Sequence, residues 1–212
     1  MTVCWHMDDL KVSYKDPLKI TKFAMYLSSI YEEKLVVHRG KVHDYLGVDF
    51  DYSESGKVKI SMIKYLKGVI EEFPEELPTR HAATPASDNL FKVRDNAPKL
   101  SEDRADFFHR KTAQILFVSH QGRPDLRTAI SFLTMRVQTP DEDDYKKLAR
   151  LVKYMRKTKF LRLTIEATYL DQNHWFINGA FAVHDDMKSH TGGYMTFGEG
   201  IIDGSSRGQR IN

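Results

Sequence analysis

The amino-acid sequence predicts an α+β protein, and three observations carry that expectation. Runs that alternate apolar and polar residues at the strand period of two lie near the start of the chain and in its final quarter. Stretches with apolar residues at helical spacing fill the middle, from Ser101 onward. Clusters of Gly, Pro, Asp, Asn and Ser separate the two kinds of segment, as turns and connections require.

Taken in order, Thr2 to Trp5 is β-prone, and Leu10, Val12 and Tyr14 alternate with polar residues. These runs flank His6-Met7-Asp8-Asp9 and predict a β-hairpin with two carboxylates at its tip. Asp16-Pro17 is a cap followed by a first-turn proline, and Ile20, Phe23, Ala24, Leu27, Ile30 and Tyr31 then repeat at helical spacing. Lys34 to His38, Val42 to Tyr52 and Lys57 to Ser61 predict a small antiparallel meander, broken at Arg39-Gly40 and at Ser53-Glu54-Ser55-Gly56. Ile63, Leu66, Ile70 and Phe73 mark a helix over Met62 to Phe73 that Pro74 ends.

From Pro74 to Leu100 no period is sustained, which predicts an extended connection and the best candidate domain boundary. Ser101 opens a helix through Phe107, Phe108, Ile115, Leu116 and Val118, interrupted at Gly122-Arg123-Pro124. A second helix is expected to begin at Asp125 as a cap and to run through Ile130, Phe132, Leu133 and Val137. A third follows Pro140, with Asp141, Glu142, Asp143 and Asp144 in its first turn and Lys153, Arg156 and Lys157 in its last, the polarity that the helix macrodipole favours. Strands are expected at Phe160 to Glu166, Trp175 to Phe181 and Thr191 to Phe197, with Gly192-Gly193, Gly198 and Gly200 as tight turns.

The chain has 212 residues, 41% hydrophobic and 29% charged, an ordinary globular composition for one domain or two small ones. Its apolar runs, such as Ile115 to Val118, fall far short of the roughly 20 residues of a membrane span. The first residues lack the pattern of a secretory signal, so an intracellular setting, cytoplasm or nucleus, is expected. The single cysteine, Cys4, cannot form an internal disulfide, and its neighbours suggest a buried strand position. A net charge of +3 with dispersed cations admits a nucleic-acid partner and equally an ordinary solvated surface.

Phosphoryl transfer by the two-metal route needs clustered carboxylates, and adjacent aspartates on a rigid turn suit hard, oxygen-seeking magnesium. Asp8 and Asp9 are such a pair, although an Asp-Asp turn by itself is most often a solvated loop. The nine histidines include no His-Glu-x-x-His pairing, and one cysteine cannot build a zinc finger. Ser119, His120 and Asp125 do not make a triad, because adjacent residues on a helix point to different faces. Asp185-Asp186 is expected to be a solvated loop.

Thr2-Val-Cys-Trp-His-Met-Asp-Asp-Leu-Lys-Val-Ser resembles the polymerase hairpin of reverse transcriptases, with His6 in place of the usual aromatic residue. Lys41-Val-His-Asp-Tyr-Leu-Gly-Val-Asp-Phe is similar to their primer-grip hairpin, and Lys59-Ile-Ser-Met-Ile-Lys-Tyr-Leu to the segment leading out of the palm. Thr84-Pro85, Arg123-Pro124-Asp125-Leu126 and Lys153-Tyr-Met-Arg-Lys-Thr158 resemble the connection of copia-type retrotransposons. Trp175-Phe-Ile-Asn-Gly-Ala-Phe-Ala-Val-His-Asp-Asp and Lys188-Ser-His-Thr-Gly-Gly-Tyr-Met resemble the opening strands of a ribonuclease H domain.

The resemblance implies a fragment of a retrotransposon polyprotein: a partial reverse-transcriptase palm hairpin and meander over 1–76, an extended linker over 77–100, a helical connection over 101–159 and an incomplete ribonuclease H-like sheet over 160–212. It implies Asp8 and Asp9 as catalytic ligands of two Mg2+ ions, Leu46 and Gly47 as primer-binding, and RNA template, DNA primer and dNTP as partners. The third palm aspartate would come from a polymerase segment preceding Met1. Asn178 stands where the ribonuclease H strand carries a metal-binding aspartate, and a neutral amide is a poor magnesium ligand. The isolated chain is therefore expected to be inactive and, with an incomplete sheet, poorly soluble. The alternatives are a non-catalytic nucleic-acid-binding or structural remnant, and a metal-independent interaction module.

Overall fold

The computed structural model describes residues 1–31, 35–74 and 82–210. Strands β1 (Thr2–His6) and β2 (Asp9–Ser13) form the expected hairpin. Helix α1 (Pro17–Ile30) follows, and the Asp16 carboxylate accepts the Leu18 N–H at 2.9 Å, satisfying one of the donors that a helix start leaves free. Its apolar stripe buries no residue, and Leu18, Met25 and Ile30 remain exposed. Cys4 is exposed as well, against the expectation of burial, because the two-stranded ribbon has no sheet on either side to cover it.

The meander consists of β3 (Val42–Tyr45), β4 (Val48–Asp51) and β5 (Lys57–Ser61). The strand expected over Lys34 to His38 does not form in its described part: 35–39 has no ladder, and Val36 and Val37 are exposed. Lys34 lies outside the described residues. β-Branched residues favour a strand only where a neighbour pairs and packs with it, and here none does. Helix α2 (Ile63–Glu71) follows β5 directly. Of the segment read as a linker, 77–81 lies outside the described residues. The remainder, 82–100, runs through turns yet buries Leu90 and Ala97.

Three helices make the centre: α3 (Glu102–Gln121), α4 (Arg127–Thr134) and α5 (Glu142–Lys157). A single 3-10 turn, Pro124–Leu126, leads into α4. Asp125 is therefore not the cap of α4, and its carboxylate is held instead by Arg123. The start of α5 shows why its acidic run is there: Asp141 accepts from the N–H groups of Asp143 and Asp144, while Asp144 accepts from the Asp141 N–H, a complete capping box. Arg136 pairs with both carboxylates, at 3.1 Å to Asp141 and 2.9 Å to Asp144. Burial pushes the Asp144 carboxyl up, against the pull of Arg136.

Five further strands complete the described chain: β6 (Leu163–Ala167), β7 (His174–Ala180), β8 (His190–Thr196), β9 (Gly198–Glu199) and β10 (Asp203–Gly208). Among the described residues they join three sheets, β1-β2, β3-β4-β5-β6-β9 and β10-β8-β7. Sheet membership departs from the sequence reading in β6, which pairs antiparallel with β5 on one side and with β9 on the other, and so joins the meander instead of the sheet of β7, β8 and β10. Gly192 and Gly193 lie inside β8, not in a turn, because the unforeseen β10 pairs along that whole stretch.

The fold is α+β, with the core where α2 to α5 meet the inner face of the five-stranded sheet. Leu66, Phe108, Ile115, Leu126, Ile130, Leu133, Leu148 and Met155 are fully buried, each contributing on the order of 2 kcal/mol by removal from water. Phe73 meets Phe107 at 5.6 Å and Tyr145 at 5.7 Å, tying the end of α2 to α3 and α5. The core thus runs continuously from residues before 75–81 to residues after it. Lys111 is buried in the middle of α3 and donates to Glu72 at 2.6 Å and to Gln114 at 2.9 Å, which holds the Glu72 carboxyl below its usual range.

Candidate functional site

In the first hairpin, His6 faces Asp9 and Trp5 faces Leu10, which leaves Met7 and Asp8 to turn the chain. Met7 adopts φ +51°, and the Trp5 indole N–H donates to its carbonyl, so an aromatic side chain from β1 pins the turn from outside. Asp8 sits at the apex and Asp9 opens β2, both exposed to water. Two hard carboxylate donors side by side are the beginning of a magnesium site. Among the described residues, however, no group of three or more His, Cys, Asp or Glu is gathered closely enough to hold a metal ion. The donor set fits two ligands of such a site and supplies no third.

The hairpin meets the rest of the protein through Lys11, two residues on from Asp9, whose ammonium lies 5.0 Å above the Phe50 ring and 5.7 Å from that of Tyr52. This cation–π contact ties the Lys11 side chain of β2 to Phe50 of β4. At the other end of β4, Leu46 and Gly47 form the tight turn from β3, with φ of +54° and +75°. Two consecutive left-handed residues suit the twist of a two-residue hairpin, and glycine takes that conformation without strain. Val48 beyond the turn is buried, and Lys64 hangs nearby, 3.9 Å from Asp44 and 3.8 Å from Asp49. Leu46-Gly47 is thus a rigid, exposed knuckle on the sheet that Lys11 touches.

Asn178 lies in mid-β7 opposite Gly192, on a strand exposed along its whole length. Phe176 on the same face stacks on Tyr194 at 4.8 Å. Asp185 and Asp186 are not simply solvated. Asp185 accepts the Val93 N–H, and the Lys188 ammonium beside Asp186 lowers that carboxyl's pKa.

Two polar clusters escaped the sequence reading. One is Arg123, almost fully buried, which grips Asp125 and reaches Thr158, while Tyr154 donates to the same Asp125 at 3.0 Å. The Arg-Pro-Asp-Leu and Lys-Tyr-Met-Arg-Lys-Thr stretches, 30 or so residues apart in sequence, are thereby two halves of one structural clasp. The other joins His184 and His190, whose rings meet across a loop; nothing in their spacing signals it. Ser119 is buried and His120 exposed, as the discounted triad requires.

The chain is 25% identical over 199 residues to a Saccharomyces cerevisiae protein described as "Putative transposon Ty5-1 protein", a likeness covering 90% of this chain. That likeness supports a retrotransposon-derived protein. The chain spans 60% of that relative's length. No family model and no solved structure matches. No helix among the described residues is long and apolar enough to cross a membrane.

Proposed function

We propose that this chain is the C-terminal palm and connection portion of a copia-type retrotransposon reverse transcriptase with the opening of its ribonuclease H domain. On this reading Asp8 and Asp9 are two carboxylates of an RNA-directed DNA polymerase site completed by an upstream polymerase segment. The observation that carries it is the Asp8-Asp9 pair on an exposed hairpin turn that the Trp5 indole pins. Two Mg2+ ions bound at the completed site would help the primer 3′-hydroxyl attack the dNTP α-phosphorus and steady the departing pyrophosphate. Asp8 and Asp9 supply hard anionic oxygens on a backbone that cannot splay, and the Leu46-Gly47 knuckle positions the primer strand. Exposed lysines such as Lys64 contact phosphate without reading sequence.

The test is primer extension on an RNA template, comparing this chain with a longer protein that includes the upstream polymerase segment. The longer protein should extend the primer in Mg2+ and lose that ability in Asp8→Asn, while the chain alone should not extend it. Extension by the chain alone, or by a longer protein indifferent to Asp8→Asn, contradicts the reading. Asn178 favours a second reading, a non-catalytic nucleic-acid-binding remnant of a retroelement, since that strand presents an amide in place of a carboxylate. Binding of a primer–template duplex that is equally strong with EDTA and in Asp8→Asn/Asp9→Asn would support it.

A further inference from the structure

The three-stranded sheet is fastened to the helical core by a chain of hydrogen bonds that ends in two histidines. Ser131 Oγ on α4 donates to the Ser206 carbonyl on β10. Ser206 Oγ donates to Thr128 Oγ1 at 3.2 Å, His190 Nε2 meets Ser206 Oγ at 2.8 Å, and His184 Nε2 meets His190 Nδ1 at 3.1 Å. The imidazole centroids are 5.3 Å apart, so the two ring nitrogens face each other nearly in line. His190 is buried on β8, and its ring packs 4.9 Å from Phe91, which belongs to the 82–100 segment. His184 packs 4.7 Å from the same Phe91 and stacks on Phe132 of α4 at 6.3 Å. Five separate parts of the chain, α4, β8, β10, the 181–189 loop and the 82–100 segment, therefore meet at one pair of rings.

With the Ser206 hydroxyl hydrogen spent on Thr128, His190 Nε2–H donates to Ser206 Oγ, His190 Nδ1 accepts, and His184 Nε2–H fills the gap between the rings. A first added proton can go to the outer nitrogen of His184, which leaves its bond to His190 intact and charge-assisted. A second would have to enter the same 3.1 Å gap from the other side, placing two N–H groups and two positive charges face to face among aromatic rings. That state is reached only by parting the rings. Burial and the neighbouring His184 accordingly push the His190 pKa down from 6.5.

The charged groups around the pair do not cancel this. Asp186 faces His184 but is paired with Lys188 at 2.5 Å, and Asp185 is committed to the Val93 N–H. Lys147 of α5 lies 4.6 Å over the Phe132 ring, adding positive charge on that side. On β10, Arg207 is the remaining cation.

We propose that the His184–His190 pair is a proton-operated latch, closed when it shares one bridging hydrogen and opened by double protonation, which releases the 181–189 loop and the three-stranded sheet from Phe91 and α4. A group whose folded pKa is depressed contributes stability that is complete above its unfolded value, near 6.5, and is lost as pH falls below that value. The latch therefore opens on acidification.

The test is amide-exchange protection at Val93, which donates to Asp185, and at Ala182, which donates to Ser189 Oγ at 3.2 Å, followed from pH 7.5 to pH 5 alongside the imidazole nitrogen shifts of the full chain. Protection at these two amides should fall by about tenfold for each unit of depression of the His190 pKa, while amides of α3 keep theirs. His184→Gln, at the half-exposed rim, removes the second charge and should abolish the pH dependence with the fold intact. His190→Gln should do the same where it folds. Equal loss of protection in His184→Gln, or a wild type whose protection at Val93 and Ala182 is flat across this range, overturns the proposal.

Discussion

Arg123 holds Asp125 through two parallel hydrogen bonds, Nε to Oδ1 at 2.8 Å and Nη2 to Oδ2 at 2.7 Å. The same guanidinium donates to the Thr158 carbonyl at 3.0 Å and hydroxyl at 2.7 Å, where α5 ends. A planar fork is needed to serve both partners at once, and lysine is not one. Arg123→Lys should lower stability by about 3 kcal/mol, read as a fall in the urea midpoint at unchanged slope. An unaltered midpoint would show that the clasp contributes nothing.

Asp141 caps α5 and pairs with Arg136 while almost wholly buried. Asp141→Ala should cost about 2 kcal/mol, more than a surface cap, because Arg136 loses a partner as well. Asp141→Asn keeps the cap acceptor and should cost less than half as much. Equal costs for the two variants would assign the whole effect to the ion pair.

Lys111 and Glu72 make an uneven couple: the ammonium is buried and the carboxylate is half in water. Glu72→Gln weakens the partner of a buried charge, and Lys111→Met removes the charge together with the need for one. The first should destabilise and the second should come out near neutral by thermal melting. The Glu72 carboxyl is held below 4.5, so its contribution is complete above that pH and fades as the medium is acidified past it. Lys111→Met should erase this part of the acid sensitivity, and a mutant with the wild-type acid profile would contradict the assignment.

Asp8 and Asp9 are both exposed to water, so Asp8→Asn/Asp9→Asn should leave the melting temperature unchanged. Mg2+ titrated at millimolar concentration should shift the amide resonances of Met7 to Leu10 in the wild type and leave them still in the double variant. Identical shifts in both would remove the turn as a cation site.

Much of this architecture was legible because local signals and tertiary contacts agree. Asp16-Pro17 sits where a cap and a first-turn proline are required, and a helix does begin after Pro140, whereas the left-handed turn at Leu46-Gly47 splits Val42 to Tyr52, which reads as one strand, into β3 and β4. The misses have a common physical origin in partners distant along the chain. Val36 and Val37 carry strand propensity without a strand to pair with, whereas Asp203 to Gly208, with two glycines and two serines, lacks propensity and is a strand because β8 offers it a full ladder. Asp125 reads as a cap until Arg123 is seen to claim it. The Asp8-Asp9 turn was readable as geometry, and the histidine pair was not, since only the fold brings those two rings together.

The pairing of β6 with β5 has a consequence for how the protein is made. That sheet cannot be completed until the whole helical segment between the two strands has been synthesised, and closing so long a loop is slow. Until then the nascent chain carries β5 as a bare edge whose unpaired N–H and C=O groups are a template for joining neighbouring copies. Shortened versions ending before Leu163 should accumulate as insoluble aggregates, and the order in which the ribosome releases the strands becomes a determinant of yield.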